Sequence, residues 1–138
     1  MISLVELQRR IDAGDLSPDA AIAQSLEAIR VHEKTLGAFV CHADRLAAES
    51  AGPLRGIAVG IKDIMDTADF PTGMGSPIYR GFRPRGDAAV VMMLKQAGAS
   101  IIGKTTTTAF ASMDPTSTLN PHNHGHTPGG SSSGSASA

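Results

Sequence analysis

Two stretches of this sequence carry side chains capable of nucleophilic chemistry, and they lie far apart along the chain. Lys62 closes the apolar run of GIAVGIKDI (residues 56–64), and Ser131, Ser132, Ser133, Ser135 and Ser137 follow the Gly129–Gly130 pair in TPGGSSSGSASA (127–138). A lysine at the end of a buried strand commonly snorkels its ammonium to the surface. Withdrawn from water, the same group gives up its proton more readily, and a neutral amine then takes the proton of a serine hydroxyl. Serine–lysine pairs are one variant of the nucleophile-and-base arrangement. The serine run also has a plain reading, because Gly/Ser-rich segments bury too little apolar surface to offset the entropy of ordering them, and composition alone describes a linker. A Gly-Gly pair, however, lets the backbone approach another element closely and take conformations closed to residues with a Cβ.

Two further motifs suggest other chemistries. GASIIGKT (98–105) matches the phosphate-loop pattern G-x-x-x-x-G-K-[ST] letter for letter. That loop needs a strand before its first glycine and a helix after its lysine, so that backbone N–H groups wrap a phosphate. Here an apolar helical stretch precedes Gly98 and Ala-Ser-Ile-Ile reads as strand, so the segment is expected to be a helix-to-strand turn that binds no nucleotide. In PHNHGH (121–126), His122, His124 and His126 alternate, a spacing that can share a zinc ion in an extended segment. No carboxylate or thiol stands nearby as a fourth ligand, which favours a solvated loop without metal, with His126 alone placed to line a site.

The elements that must position Lys62 and the serines follow from periodicity and capping. Ser3 and Glu6 stand in capping-box spacing ahead of a helix that presents Leu4, Leu7 and Ile11 and stops at Gly14. Ser17 as N-cap and Pro18 at the first helical position open a second helix with Ile22, Leu26 and Ile29 on one face. AFVCH (38–42) reads as a strand and ADRLAAESA (43–51) as another helix. From Arg55 the pattern becomes a compact apolar run bounded by glycines, as in a buried strand. Asp87 is expected to cap a helix over AAVVMMLKQAGA (88–99), and SIIGK (100–104) to form the next strand. Strand, helix, strand in this order predicts a crossover unit and an α/β core. Between them lie two long stretches rich in Gly, Pro, Asp and Asn, residues 66–87 and 114–138. Irregular segments of that length in a compact domain point to functional sites.

Composition narrows the field. The chain has 138 residues, 41% hydrophobic but only 4% aromatic and without Trp, which predicts an aliphatic core. Twelve basic against 13 acidic residues leave net charge −1, with no basic surplus for nucleic acid or an anionic membrane, so a small-molecule partner is expected. Cys41 is the sole cysteine, which excludes an internal disulfide framework and suits a reducing, cytoplasmic setting. No basic leader with an apolar run opens the sequence, Met1 reads as the true start, and no stretch reaches the roughly 20 apolar residues of a membrane span.

Taken together, GIAVGIKDI (56–64), GKTTTTAFA (103–111) and NPHNHGHTPGGSSSGSASA (120–138) resemble the amidase signature family, from about Leu54 onward. The resemblance implies an α/β fold with a mixed sheet flanked by helices, and a serine–serine–lysine triad. In that triad Lys62 is the base, Ser131 is a relay serine held by a cis peptide, and a third serine attacks an amide carbonyl. Gly129, Gly130 and Ser132 would support the site or bind substrate, Ser132 by hydrogen bonding. The nucleophile and the oxyanion donors would lie beyond Ala138. Ser132, Ser133, Ser135 and Ser137 carry hydroxyls too, but nothing positions an oxyanion donor for them. The implied division is an N-terminal helical segment, residues 1–53, before the start of the catalytic core, residues 54–138, truncated ahead of the nucleophile and inactive alone. No cofactor or metal is implied. The expected partners are an amide substrate and a second copy in a homodimer, the N-terminal helices packing either on the main body or on a partner subunit. The family also contains the A subunits of glutamyl-tRNA amidotransferases and the fatty acid amide hydrolases; a non-catalytic interaction module is the remaining alternative.

Overall fold

A computed structural model describes residues 3–138. Helix α1 (Leu4–Asp12) starts where Ser3 Oγ accepts the Glu6 N–H at 3.1 Å. The Glu6 carboxylate pairs with the Arg9 guanidinium at 2.8 Å. Helix α2 (Pro18–Leu36) starts the same way, Ser17 Oγ accepting the Ala20 N–H at 3.1 Å, and ends at Gly37 in the left-handed region, φ 62°. Ile11 of α1, Leu16 of the connection and Ala21 of α2 turn inward and pack with Ile57, just ahead of the sheet.

Three strands form that sheet: β1 (Phe39–His42), β2 (Ala58–Lys62) and β3 (Ser100–Thr105), in the order β1-β3-β2. β2 runs parallel to β3 and β1 antiparallel to it, so the sheet is mixed, and residues 39–42 share it with residues 58–62. Every residue of the central β3 is buried. Helix α3 (Ala89–Gln96) makes the crossover between the parallel strands and packs Val91 against Ile61 and Ile101. The predicted strand–helix–strand unit is therefore present. Its helix is thinly covered, since Val90, Met92 and Met93 stay exposed while only Val91 is fully buried.

Two local expectations are overturned. Residues 43–51 form no helix but an irregular segment. A nine-residue helix is marginal by itself, and here tertiary bonds hold the backbone open: Ala48 N–H donates to Asp19 Oδ1 at 2.9 Å, and Leu54 N–H, just beyond, to the Ala97 carbonyl at 2.8 Å. Asp87 does not cap α3. The N-cap is Ala88, without a side-chain bond. The Asp87 carboxylate instead accepts the Ala68 N–H at 2.7 Å and the Lys95 ammonium at 2.8 Å, the stronger offer for a carboxylate because one donor is charged.

Of the two long irregular stretches, the first holds a single 3₁₀ turn at Pro77–Tyr79, with the Tyr79 ring edge-on to Phe82 and Phe110 at 5.6 and 6.1 Å. The second ends in a short helix, α4 (Ser133–Ser137), whose Ser133, Gly134 and Ser137 are buried. No helix among the described residues is long and apolar enough to cross a membrane.

Candidate active site

Lys62 is the last residue of β2, opposite Thr105 of β3. The chain turns immediately after it: Ile64 and Met65 N–H both donate to the Lys62 carbonyl, at 2.8 and 2.9 Å. Parallel pairing continues one residue further through Asp63 N–H to the Thr105 carbonyl, 2.9 Å. The base of the lysine side chain is thus fixed to the central strand, while its tip, in a half-buried position, donates from Nζ to Ser131 Oγ at 2.6 Å.

Ser131 reaches that point by an unusual backbone path. Gly129 sits at φ 93°, closed to most side chains, and the Gly130–Ser131 peptide is cis. The Ser131 carbonyl is then tied to the chain following β3, accepting Thr108 N–H at 3.0 Å and Thr107 Oγ1–H at 3.2 Å. Behind it α4 lies directly on the sheet end. A Cβ at Gly134 would collide with the Ala38 carbonyl oxygen and the Thr106 amide nitrogen, and Gly134 N–H donates to the Thr106 carbonyl at 2.9 Å. Ser135 Oγ shares a 2.7 Å hydrogen bond with Thr105 Oγ1, and Ser137 Oγ donates to the Leu119 carbonyl at 2.7 Å. Ser132 contributes its carbonyl, which accepts Ala136 N–H at 3.1 Å, and makes no capping bond with its side chain. Ser133 Oγ is buried without a hydrogen-bond partner. The segment that composition describes as a linker is tied to the rest of the fold through Ser131, Gly134, Ser135 and Ser137.

A cleft of about 410 Å³ opens on Ser131, with Thr108, Ala111, Met113, Gly129 and Gly130 in its walls. Phe110 and Ala111 beside it have φ of 51° and 55°, and Met74, whose carbonyl accepts Phe110 N–H at 2.9 Å, has φ 52°. Non-glycine residues in that region cluster at functional sites. The chemical content of the arrangement is an amine and a hydroxyl in direct hydrogen bond at the edge of an open cleft, along which a proton can pass.

The other sequence motifs are elsewhere. Gly98, at φ 89°, lies in the turn that leads from α3 into β3, so GASIIGKT is the expected helix-to-strand turn followed by the strand itself. His122, His124 and His126 are exposed in a loop of tight turns, with His122 N–H on Asn120 Oδ1 at 2.9 Å. Among the described residues no three His, Cys, Asp or Glu side chains are grouped as a metal ion would require. What sequence reasoning missed is the partner of Lys104. Its Nζ is fully buried, 3.1 Å from Asp63 Oδ1, and donates to Thr72 Oγ1 at 2.7 Å and the Pro71 carbonyl at 3.1 Å. The available signal was a carboxylate directly after Lys62 and a second lysine just after the apolar pair Ile101-Ile102, neither of which a solvated face explains.

Known proteins resemble this chain in sequence and in fold. The Amidase family profile matches residues 20–138. The A subunit of the Rhodopirellula baltica glutamyl-tRNA(Gln) amidotransferase is 40% identical over 149 aligned positions, covering 94% of this chain and 30% of the relative. The chain spans under a third of the length of such relatives, the chloroplastic/mitochondrial counterpart in Zea mays being covered to 29% at 34% identity. Among solved structures, the corresponding amidotransferase protein from Thermotoga maritima superposes with TM-score 0.83 at 33% identity, over 88% of this chain and 28% of that one. The native peptide amidase of Stenotrophomonas maltophilia gives TM-score 0.79 at 29% identity, over 96% of this chain and 32% of that one. With its profile matched over most of the sequence and its fold shared with solved members, the chain belongs to the Amidase family.

Proposed function

We propose that this chain supplies the lysine–serine half of an amide-hydrolysing site, the observation that carries the reading being the 2.6 Å contact between Lys62 Nζ and Ser131 Oγ. Neutral Lys62 accepts a proton from Ser131 Oγ while Ser131 accepts one from a nucleophilic serine outside residues 1–138. That serine attacks the amide carbonyl, and the proton returns to the departing amine, leaving an acyl-enzyme that water hydrolyses. Gly129 and Gly130 give Ser131 its approach, residues 54–138 begin the catalytic core, and residues 1–53 brace it. The substrate is a small carboxylic amide, for which the cleft beside Ser131 supplies apolar walls at Ala111 and Met113. Within the family, MISLVELQRRID, GPLRGIAVGIKDI and GKTTTTAFAS resemble malonamidase, which supports a stand-alone amidase acting as a homodimer.

A second reading is favoured by the relatives at 40% and 34% identity, both of them A subunits of glutamyl-tRNA(Gln) amidotransferases: the protein then works within an amidotransferase complex on glutamyl-tRNA. The two part in one assay. A stand-alone amidase cleaves simple amides as the purified full-length protein, whereas an amidotransferase component needs its partner proteins and yields amidated tRNA.

The shared Lys62 chemistry is tested in the full-length protein by comparing Lys62→Ala with Lys62→Arg. Arginine keeps the charge but does not deprotonate near neutral pH, so both variants should lose about 10²–10⁴-fold in kcat/KM. Near-wild-type activity in Lys62→Arg, with folding verified by circular dichroism, would remove Lys62 from the mechanism.

A further inference from the structure

The Asp63–Lys104 ion pair is sealed from water, with side-chain exposures of 2% and 0%. Buried ion pairs recover their desolvation cost poorly, and apolar residues of similar volume commonly hold a fold as well or better. Stability alone therefore does not account for the pair. Its location offers a reason. Asp63 directly follows Lys62 and is fixed at four points: its N–H on the Thr105 carbonyl, its carbonyl on Met74 N–H, its carboxylate on Gly73 N–H at 3.1 Å, and the ion pair itself. Lys104 directly precedes Thr105, whose Oγ1 bonds Ser135 in α4, and two residues further on Thr107 and Thr108 hold the Ser131 carbonyl. The pair joins the strand that ends in Lys62 to the strand whose continuation, at Thr107 and Thr108, holds the Ser131 carbonyl. It also draws the 71–74 loop against both through Pro71 and Thr72.

We propose that Asp63 and Lys104 are positioning residues: their buried pair locks the backbone at residues 62–63 to that at 104–105, and so holds Lys62 Nζ at Ser131 Oγ. A lysine side chain has four rotatable bonds, and small errors at its base grow at its tip. The Asp63 carboxylate, just past β2, turns to Lys104 and Gly73 and is absent from the cleft walls, so Asp63 can secure that base without entering the cleft. The catalytic consequence rests on the amide-hydrolysis reading above; the geometric one does not.

The test is the double variant Asp63→Leu/Lys104→Met in the full-length protein, which leaves no unpaired buried charge. The expected result is wild-type or higher melting temperature, unchanged KM, and kcat lowered about 100-fold, the scale of a misplaced catalytic group. Its crystal structure should show Lys62 Nζ beyond hydrogen-bond distance of Ser131 Oγ. Wild-type kcat, or an intact contact in that crystal structure, overturns the proposal and leaves the pair a purely structural element. Should the double variant fail to fold, Asp63→Glu keeps both charges and lengthens one arm by a methylene; kcat falling about tenfold at constant KM and constant melting temperature supports positioning, and unchanged kcat overturns it. If the wild-type protein cleaves no amide, the amide-hydrolysis reading falls, and the Lys62–Ser131 distance in the variant crystal structures still decides between positioning and mere structure.

Discussion

Two lysines flank the same turn between α3 and β3, each engaged with carboxylates, in opposite surroundings. Lys104 meets Asp63 inside the sheet end, wholly without solvent. Lys95, at the end of α3, meets Asp69 and Asp87 at the surface, with about a third of its side chain exposed. The geometries are alike, and burial separates the outcomes. Removing one member of a buried pair leaves a bare charge in a dry interior, whereas removing a member of an exposed pair leaves a group that water accepts. A lysine–carboxylate distance, taken without its exposure, says little about what depends on it.

The sharpest way to break this comparison is to truncate each lysine in turn. Lys104→Ala should destabilise the protein by about 3–5 kcal/mol, enough to abolish a cooperative unfolding transition in a marginal fold. A loss under about 1 kcal/mol in urea unfolding would place Lys104 in the same class as Lys95. Next comes Asp87→Asn, which weakens the Lys95 bond and the Ala68 N–H bond at once; about 1–2 kcal/mol is expected, with a defined pH dependence. Desolvation pushes the Asp87 carboxyl up, but the Lys95 ammonium and the Ala68 N–H outweigh it and hold the group below the usual aspartate range. A carboxyl depressed in the folded state adds stability above its unfolded value of about 3.9, and that contribution fades as pH falls through the folded value. The stability gap between wild type and Asp87→Asn should therefore be full at neutral pH and close in acid; a gap that widens in acid would reverse the assignment.

Lys95→Ala should cost less, about 1 kcal/mol or below, and the loss should shrink further in about 1 M salt because the pair is screened. An undiminished loss at high salt would mean that packing of the lysine stem dominates. The smallest effect expected is none at all. Lys104 is committed to Asp63, Thr72 and Pro71, so ATP should leave the melting temperature unmoved. A saturable, Lys104-dependent rise would restore the phosphate-loop reading of GASIIGKT.

What could be read in advance was mostly local. Ser17-Pro18 opens α2 because capping chemistry lies within a few residues of the helix start. The apolar run at 57–61 and the strand at 100–105 announce themselves by composition. Residues 43–51 misled because alanine favours helix only until tertiary partners compete, as Asp19 does for Ala48. Asp87 misled for a related reason: its spacing suits a cap, but a lysine two turns along α3 is the better partner. The Lys62–Ser131 meeting was legible through family resemblance and not through spacing, since nothing periodic links the two residues. The Asp63–Lys104 pair had neither support, being a contact between two strands whose pairing local sequence does not specify.

Lys62 and Ser131 are 69 residues apart in sequence. A ribosome adding about 5–20 residues each second completes both helices, all three strands and the crossover before the serine emerges. The sheet can close first, with Lys62 already fixed at its end and its amine still in water. Assembly of the site is then a late docking step, in which α4 slides onto a finished surface and Gly134 must find its narrow seat between Ala38 and Thr106. Substitutions that crowd that seat should leave a protein with its early-folding part intact and its lysine waiting, a nascent-chain defect distinct from misfolding of the sheet.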